Sequence, residues 1–289
     1  MNKIIVIVGP TGVGKTKASV ELAKILNAEI INGDAVSVYK ELNIASAKPT
    51  LEERSGINHY LIDIVDVCNN YTIYDYQKDG RKAIEQIKEK GKNIIVVGGT
   101  GLYIKSLLYD YKFHEEEINR YDDLTNDQII SKIKEYGKFD IDYSNRRRIV
   151  RLLSKLENNI PLSEKADIIY PSIIIGLTTD RNTLYKVINN RVDNMLKNGL
   201  LDEINNLKDR YKDSRVLNSA IGYKEFNDYF NDNNIENTVE KIKHNSRKYA
   251  KRQFTYFKNQ FKTKWFDVSY DNFNKTIDEI YEYIKKEMN

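Results

Sequence analysis

The chain opens on an unbroken apolar run, "KIIVIV" at residues 3–8, with no polar alternation. Such a run predicts a strand covered on both faces, as in a parallel sheet. "AEIIN" (28–32), "HYLIDIV" (59–65) and "NIIVVGG" (93–99) are further strand candidates, and "SIIIGLT" (172–178) reads as the last strand. Between them the period lengthens. "KASVELAKILN" puts Ala18, Leu22 and Ile25 on one helical stripe, and residues 74–92 predict a helix ended by Gly91. From Asp180 the pattern is helical. Leu184, Ile188, Val192, Met195 and Leu196 share one spacing, broken near Gly199, and Val239, Ile242, Tyr249, Phe257 and Phe261 share another.

Strands alternating with helices predict an α/β fold built on a doubly wound parallel sheet. The polar stretch at 111–143 interrupts that sheet and reads as a small helical insertion. The expected division is a first part of the core at 1–110, the insertion at 111–143, and the rest of the core with a helical C-terminal part at 144–289. No internal repeat or low-complexity linker is present in the sequence.

Composition changes this picture little. The 289 residues are 40% hydrophobic and 30% charged, which is ordinary for a water-exposed α/β chain. No apolar run approaches 18 residues, and residues 1–8 are too short for a signal peptide. The single cysteine, Cys68, excludes an internal disulfide and a thiolate zinc site, so a reducing cytoplasm is expected. Cys68 itself is expected to be a small buried or half-buried apolar residue. Charge adds more. The net +4 is unevenly spread, with nine Lys or Arg and no acid from Lys241 to Phe266, and many Asp and Glu at 110–142. That polarity fits a polyanion bound on one face, or simply a solvated helix face.

The sharpest chemistry is "GPTGVGKT", residues 9–16, directly after the first strand. It fits G-x-x-x-x-G-K-[ST], the phosphate loop, and it stands in the strand–loop–helix context that loop needs. Gly9, Pro10, Thr11, Gly12, Val13 and Gly14 would turn backbone N–H groups toward an anion, with glycines where a Cβ would obstruct the bend. Lys15 supplies a point charge. The Thr16 hydroxyl suits Mg²⁺ bridging phosphate oxygens, and the following helix adds its N-terminal dipole. The fold is therefore expected to be P-loop NTPase-like. The reaction is a separate matter, because triphosphatases and kinases add an acidic magnesium residue after an apolar strand. Here "NIIVVGGTG" ends in glycines and Thr100, while Asp63 and Asp66 in the 59–66 stretch are acids of undecided role. This leaves room for diphosphate as a leaving group.

"GPTGVGKT", "GDAVSVYKELNIASAKP" (33–49), "HYLIDI" (59–64) and "VVGGTGLYI" (96–104) together resemble the tRNA dimethylallyltransferases. "DRNTLYKVINNRVDNMLKNGLLDE" (180–203), "SAIGYKE" (219–225) and "NSRKYAKRQFTYFK" (245–258) continue the resemblance in order, over nearly the whole chain. The resemblance implies transfer of a dimethylallyl group from its diphosphate to N6 of adenosine 37, beside the anticodon of tRNA, with Mg²⁺ as cofactor. It implies that Asp34 receives the N6 hydrogen, and that Thr100 and Arg191 help hold the diphosphate end. Otherwise Asp34 reads as a turn or capping residue, Thr100 as a helix cap and Arg191 as a surface ion-pair partner.

A base-modifying enzyme must draw its target out of the stack. The resemblance places RNA contacts at Ala35, Val36 and Ser37, at Arg147, Arg148 and Arg151 of "NRRRIVR", at Gly222, Tyr223 and Lys224, and more loosely at Arg120. Tyr223 could stack on a base or pack inside. The basic helix expected at 241–264 is a further candidate, though its aromatics fall at core spacing. The chain departs from the family pattern at Ala35, Ser37, Asn43, Ala45, Ser46 and Ser219, mostly on the RNA-reading side, and the insertion is short. The expected partners are the tRNA anticodon stem-loop and dimethylallyl diphosphate, with no membrane and a monomeric chain. Rival readings are an adenylate isopentenyltransferase and a phosphate-loop NTPase without prenyl transfer.

Overall fold

A computed structural model describes residues 3–113, 118–162 and 166–288. Residues 114–117 of the expected insertion lie outside that description. Among the described residues six strands form one sheet: β1 (Ile4–Val8), β2 (Ala28–Asn32), β3 (His59–Tyr60), β4 (Asn93–Val97), β5 (Ser172–Thr178) and β6 (Lys264–Asp267). Their order is β3-β2-β4-β1-β5-β6, and every pairing is parallel. All loops that follow the strands therefore gather at one edge, where open α/β sheets bind ligands.

The apolar run of β1 serves two cores, as its lack of alternation implies. Ile5 and Ile7 pack on one face with α1 (Lys15–Leu26) and α11 (Phe273–Met288). Ile4, Val6 and Val8 pack on the other with α3 (Ile73–Glu89), α4 (Gly101–Leu108) and the end of α10 (Ile235–Gln260). A third cluster joins α7 (Arg181–Lys197), α8 (Leu200–Lys208), α9 (Phe226–Asp232) and α10 to the loop around Val38, Tyr39 and Leu42. The short α2 (Leu51–Arg54) follows that loop, with Thr50 and Glu53 forming a reciprocal capping box.

Several sequence expectations need correction. The strand expected at 59–65 stops at Tyr60, because Leu61 and Asp63 adopt positive φ (62° and 59°) and Asn32 Nδ2 donates to the Leu61 carbonyl. Ser172–Thr178 is not the last strand. β6 pairs beyond it, and the helix expected to reach 264 ends at Gln260, where Phe261 turns extended. On α1 the buried stripe is Ala18, Leu22 and their neighbours Val20 and Ala23, while Ile25 is exposed. Cys68 is exposed as well.

The chain forms two compact units, one reaching Tyr109 and resuming at Ile168, the other between Asp110 and Asp167. The insertion thus runs well past 143. Its own core explains why: Ile149, Val150 and Leu153 of α6 (Arg146–Glu157) pack with Tyr121, Ile129 and Ile133 of the 3-10 turn Ile118–Tyr121 and α5 (Asn126–Tyr136). No helix among the described residues is long and apolar enough to cross a membrane.

Candidate active site

The loops after β1, β2 and β4, together with faces of α7 and α10, line a cleft of about 1060 Å³. Its floor is the phosphate loop. Gly9, Gly12 and Gly14 hold φ of 140°, 92° and 82°. Gly14 has a second constraint, since a Cβ there would lie 2.8 Å from the ring of Phe273. Thr11, Gly12, Gly14, Lys15 and Thr16 face the cleft, whereas Val13 is fully buried in the core and enters the loop only through its backbone. Gly9 and Pro10 contribute carbonyls, which accept from Lys15 Nζ at 3.0 and 2.8 Å. Burial pulls the Lys15 ammonium down to about 8; Asp34 opposes that fall and Arg191 adds to it.

Across the cleft stand residues of the loops after β2 and β4 and of α7 and α10. Asp34 follows β2 and takes the Val36 N–H on Oδ1 at 2.9 Å, so it does make the turn bond its position suggests, while its side chain also lines the cleft. Thr100 occupies the cap position of α4 without capping it. Its Oγ1 instead accepts the Ala35 N–H at 3.1 Å, which ties the loop after β4 to the loop after β2. Arg191, from α7, donates to Thr11 Oγ1 at 2.9 Å, and burial lowers its pKa against the pull of Asp34. It is no surface ion-pair partner. Tyr249 of α10 completes this wall, its hydroxyl pushed up to about 12 by burial and Asp34, against Thr100 and Gln253.

The structure brings Asp34, Ala35, Val36, Ser37, Thr100, Arg191, Gly222 and Lys224 to one cleft with the phosphate loop. Tyr223 is not among them. It is buried, its hydroxyl donating to Glu203 Oε1 at 2.8 Å, so it packs and does not present a stacking face. Gly222 meets the methyl group of Ala45, one of the departures from the family pattern, since a Cβ on Gly222 would come within 2.7 Å of it. Arg120, Arg147, Arg148 and Arg151 belong to the second unit. Within that unit Arg147, Arg148 and Arg151 are exposed at the start of α6, and Arg120 lies 3.6 Å from Glu157. The undecided acids are engaged elsewhere, Asp63 by Lys48 and Arg54 and Asp66 by Lys40.

Sequence reasoning missed three supports of this site. Glu203 accepts the N–H groups of Asn43 and Ile44 and so holds the loop beyond Ser37. Tyr270 donates to the Gly12 carbonyl at 3.1 Å. Gln253 reaches Thr11 from α10. Only the first carried a signal, an acid just after the Gly199 break; the others depend on distant packing.

For a metal, the chemistry of the donors is the test. No group of three or more His, Cys, Asp or Glu side chains among the described residues could cage an ion. The hard hydroxyl oxygen of Thr16, beside Lys15 in the cleft, is a donor suited to a hard divalent cation and would be the residue to hold one.

Comparison with known proteins identifies the family. A family model described as IPP transferase matches residues 37–260. A tRNA dimethylallyltransferase of Anoxybacillus flavithermus is 40% identical over 98% of this chain and 96% of its own. The crystal structure of the full-length tRNA isopentenylpyrophosphate transferase of Bacillus halodurans is 37% identical, with a TM-score of 0.79 over 100% of this chain and 97% of that one. A eukaryotic dimethylallyltransferase captured acting on tRNA is 28% identical, with a TM-score of 0.79 over 92% of this chain and 74% of that one. A phosphate loop facing Asp34 and Thr100, matched family sequence and matched fold lead to one statement: the chain belongs to the IPP transferase family.

Proposed function

We propose that the chain transfers a dimethylallyl group from dimethylallyl diphosphate to N6 of adenosine 37 in tRNA, releasing diphosphate. One observation carries the reading: Lys15 and the phosphate loop share a single cleft with Asp34 and Thr100, and no acid follows β4 where a triphosphatase would need one. The diphosphate lies in the loop, held by its N–H groups, by Lys15 and by Arg191. The bond from the allylic carbon to the bridging oxygen breaks while N6 bonds to that carbon. Asp34 accepts the proton that N6 sheds, because the amine lone pair is delocalised into the ring and attacks weakly without a base. Thr100 orients the loop that carries Asp34. Bound at the Thr16 hydroxyl with the donor, Mg²⁺ would neutralise charge on the diphosphate.

The acceptor is the anticodon stem-loop of tRNA, reached through exposed Arg147, Arg148 and Arg151, which a mononucleotide acceptor would not need. The chain acts as a monomer in the cytoplasm, where tRNA is found. Incubation with dimethylallyl diphosphate, Mg²⁺ and total tRNA, followed by nucleoside mass analysis, tests this. The expected product is N6-(dimethylallyl)adenosine. ATP hydrolysis without any prenylated nucleoside would overturn the reading.

A further inference from the structure

Gln253 is only 4% exposed, yet both ends of its amide are used. Oε1 accepts the Thr11 N–H at 2.9 Å, and Nε2 donates to the Gly99 carbonyl at 3.1 Å. One side chain of α10 therefore joins the loop after β1 to the loop after β4. Gly99 is what admits it, since a Cβ there would lie 1.9 Å from Nε2. The bonds continue on both sides. Thr11 accepts from Arg191 on the diphosphate side, and Thr100, next to Gly99, accepts from Ala35 beside Asp34.

We propose that Gln253 is a positioning residue that sets the spacing between the phosphate loop and the Asp34–Thr100 wall. The inference rests on the prenyl-transfer reading, in which donor and acceptor must meet in line across that gap. A misplacement near 1 Å costs such a reaction about 10²-fold in rate. An amide is the group that fits, because a single carbon carries both an acceptor for an N–H and a donor for a carbonyl. Methionine keeps the length and loses both bonds. Glutamate keeps the bond to Thr11 and sets a carboxylate oxygen against the Gly99 carbonyl, until protonation restores a donor.

The test compares Gln253→Met and Gln253→Glu with the parent chain, after thermal melting confirms that each folds. Single-turnover prenyl transfer in Gln253→Met is expected to fall about 10- to 100-fold, the scale of misaligned reactants, with tRNA KM within about 3-fold. The rate of Gln253→Glu relative to the parent is expected to climb between pH 8 and pH 6, as the introduced carboxyl takes up its proton. A filler role would move only the melting temperature. Hydrogen exchange gives a readout independent of activity: in Gln253→Met the peptides covering 9–16 and 98–102 are both expected to exchange faster. Rates within about 2-fold of the parent in both variants would overturn the proposal, as would loosening confined to one loop. If the parent itself transfers no prenyl group, the functional reading fails, and the exchange result still decides the link.

Discussion

Lys15 sits among the Gly9 and Pro10 carbonyls with its ammonium pulled down to about 8 by burial. The charged form is the one that grips a diphosphate, so donor capture weakens once pH passes that value. The kcat/KM for dimethylallyl diphosphate is expected to fall above about pH 8, because that ratio reports the free enzyme. In Lys15→Arg the charge persists and the alkaline fall disappears; an identical fall in both would show that another group titrates. Asp34 gives a second expectation. Asp34→Ala should leave donor binding within a few-fold while turnover drops about 10²-fold or more, the usual loss of a general base. Calorimetry for binding and single-turnover rates separate the two quantities. At this scale much was legible, since the phosphate loop announces itself by type and spacing. Legibility ended where direction matters. Val13 and Tyr223 sit inside motifs that resemble binding segments, but their side chains turn into the core. A motif fixes which residues are near the ligand and not which way each one points.

Among the elements, α10 changed most between sequence and structure. Its basic, aromatic pattern suggested either an RNA-binding face or a core helix, and the structure uses its inner face for the site. Phe257 is in the core, Tyr256 packs over Gly101, and Tyr249 and Gln253 line the cleft. Periodicity shows that a helix has a buried face; it cannot show that Gln253 on that face reaches the loops after β1 and β4. β6 escaped notice for a related reason. At four residues, with only Phe266 buried, it carries almost no pattern of its own and is made a strand by the free edge of β5. Glu203 supports a prediction at this level, because one carboxylate on α8 gathers the Asn43 and Ile44 N–H groups and the Tyr223 hydroxyl. Glu203→Ala frees the two loop N–H groups and strands the hydroxyl of buried Tyr223, the latter at about 1–3 kcal/mol for an unsatisfied buried group. The loop on the acceptor side is then expected to loosen, raising KM for tRNA while KM for the donor stays near the parent value. Equal rises in both would mean that the loop serves the donor instead.

Across the whole molecule, the alternation of strands and helices was readable because each strand is an apolar run flanked by an amphipathic helix. The extent of the insertion was not, since the apolar stripe of α6 does not name its partner, and its packing against α5 is what assigns it. Stability as a function of pH belongs to this scale. Glu29 is buried at the sheet's far end, where burial would raise its pKa, but bonds from Lys92, Lys90, Tyr60 and Asn58 hold it at about 2. The unfolded chain protonates first, near 4.5, so the stabilisation is complete above that pH and is lost as pH falls through about 2. Its full size is on the order of 3 kcal/mol. The gap in melting temperature between the parent and Glu29→Gln is expected to shrink as pH drops from 5 toward 2. A gap of constant size over that range would mean the bonds do not depend on the carboxylate charge.

The hold of Tyr270 on the Gly12 carbonyl, with Phe273 against Gly14, has a consequence for the birth of the enzyme. The loop at residues 9–16 is braced by side chains some 258 positions further along the chain. During synthesis the anion-binding sequence therefore exists before its braces do. Removal of Tyr270 and Phe273 by truncation is expected to loosen a loop the cut never touches, seen as faster hydrogen exchange across 9–16.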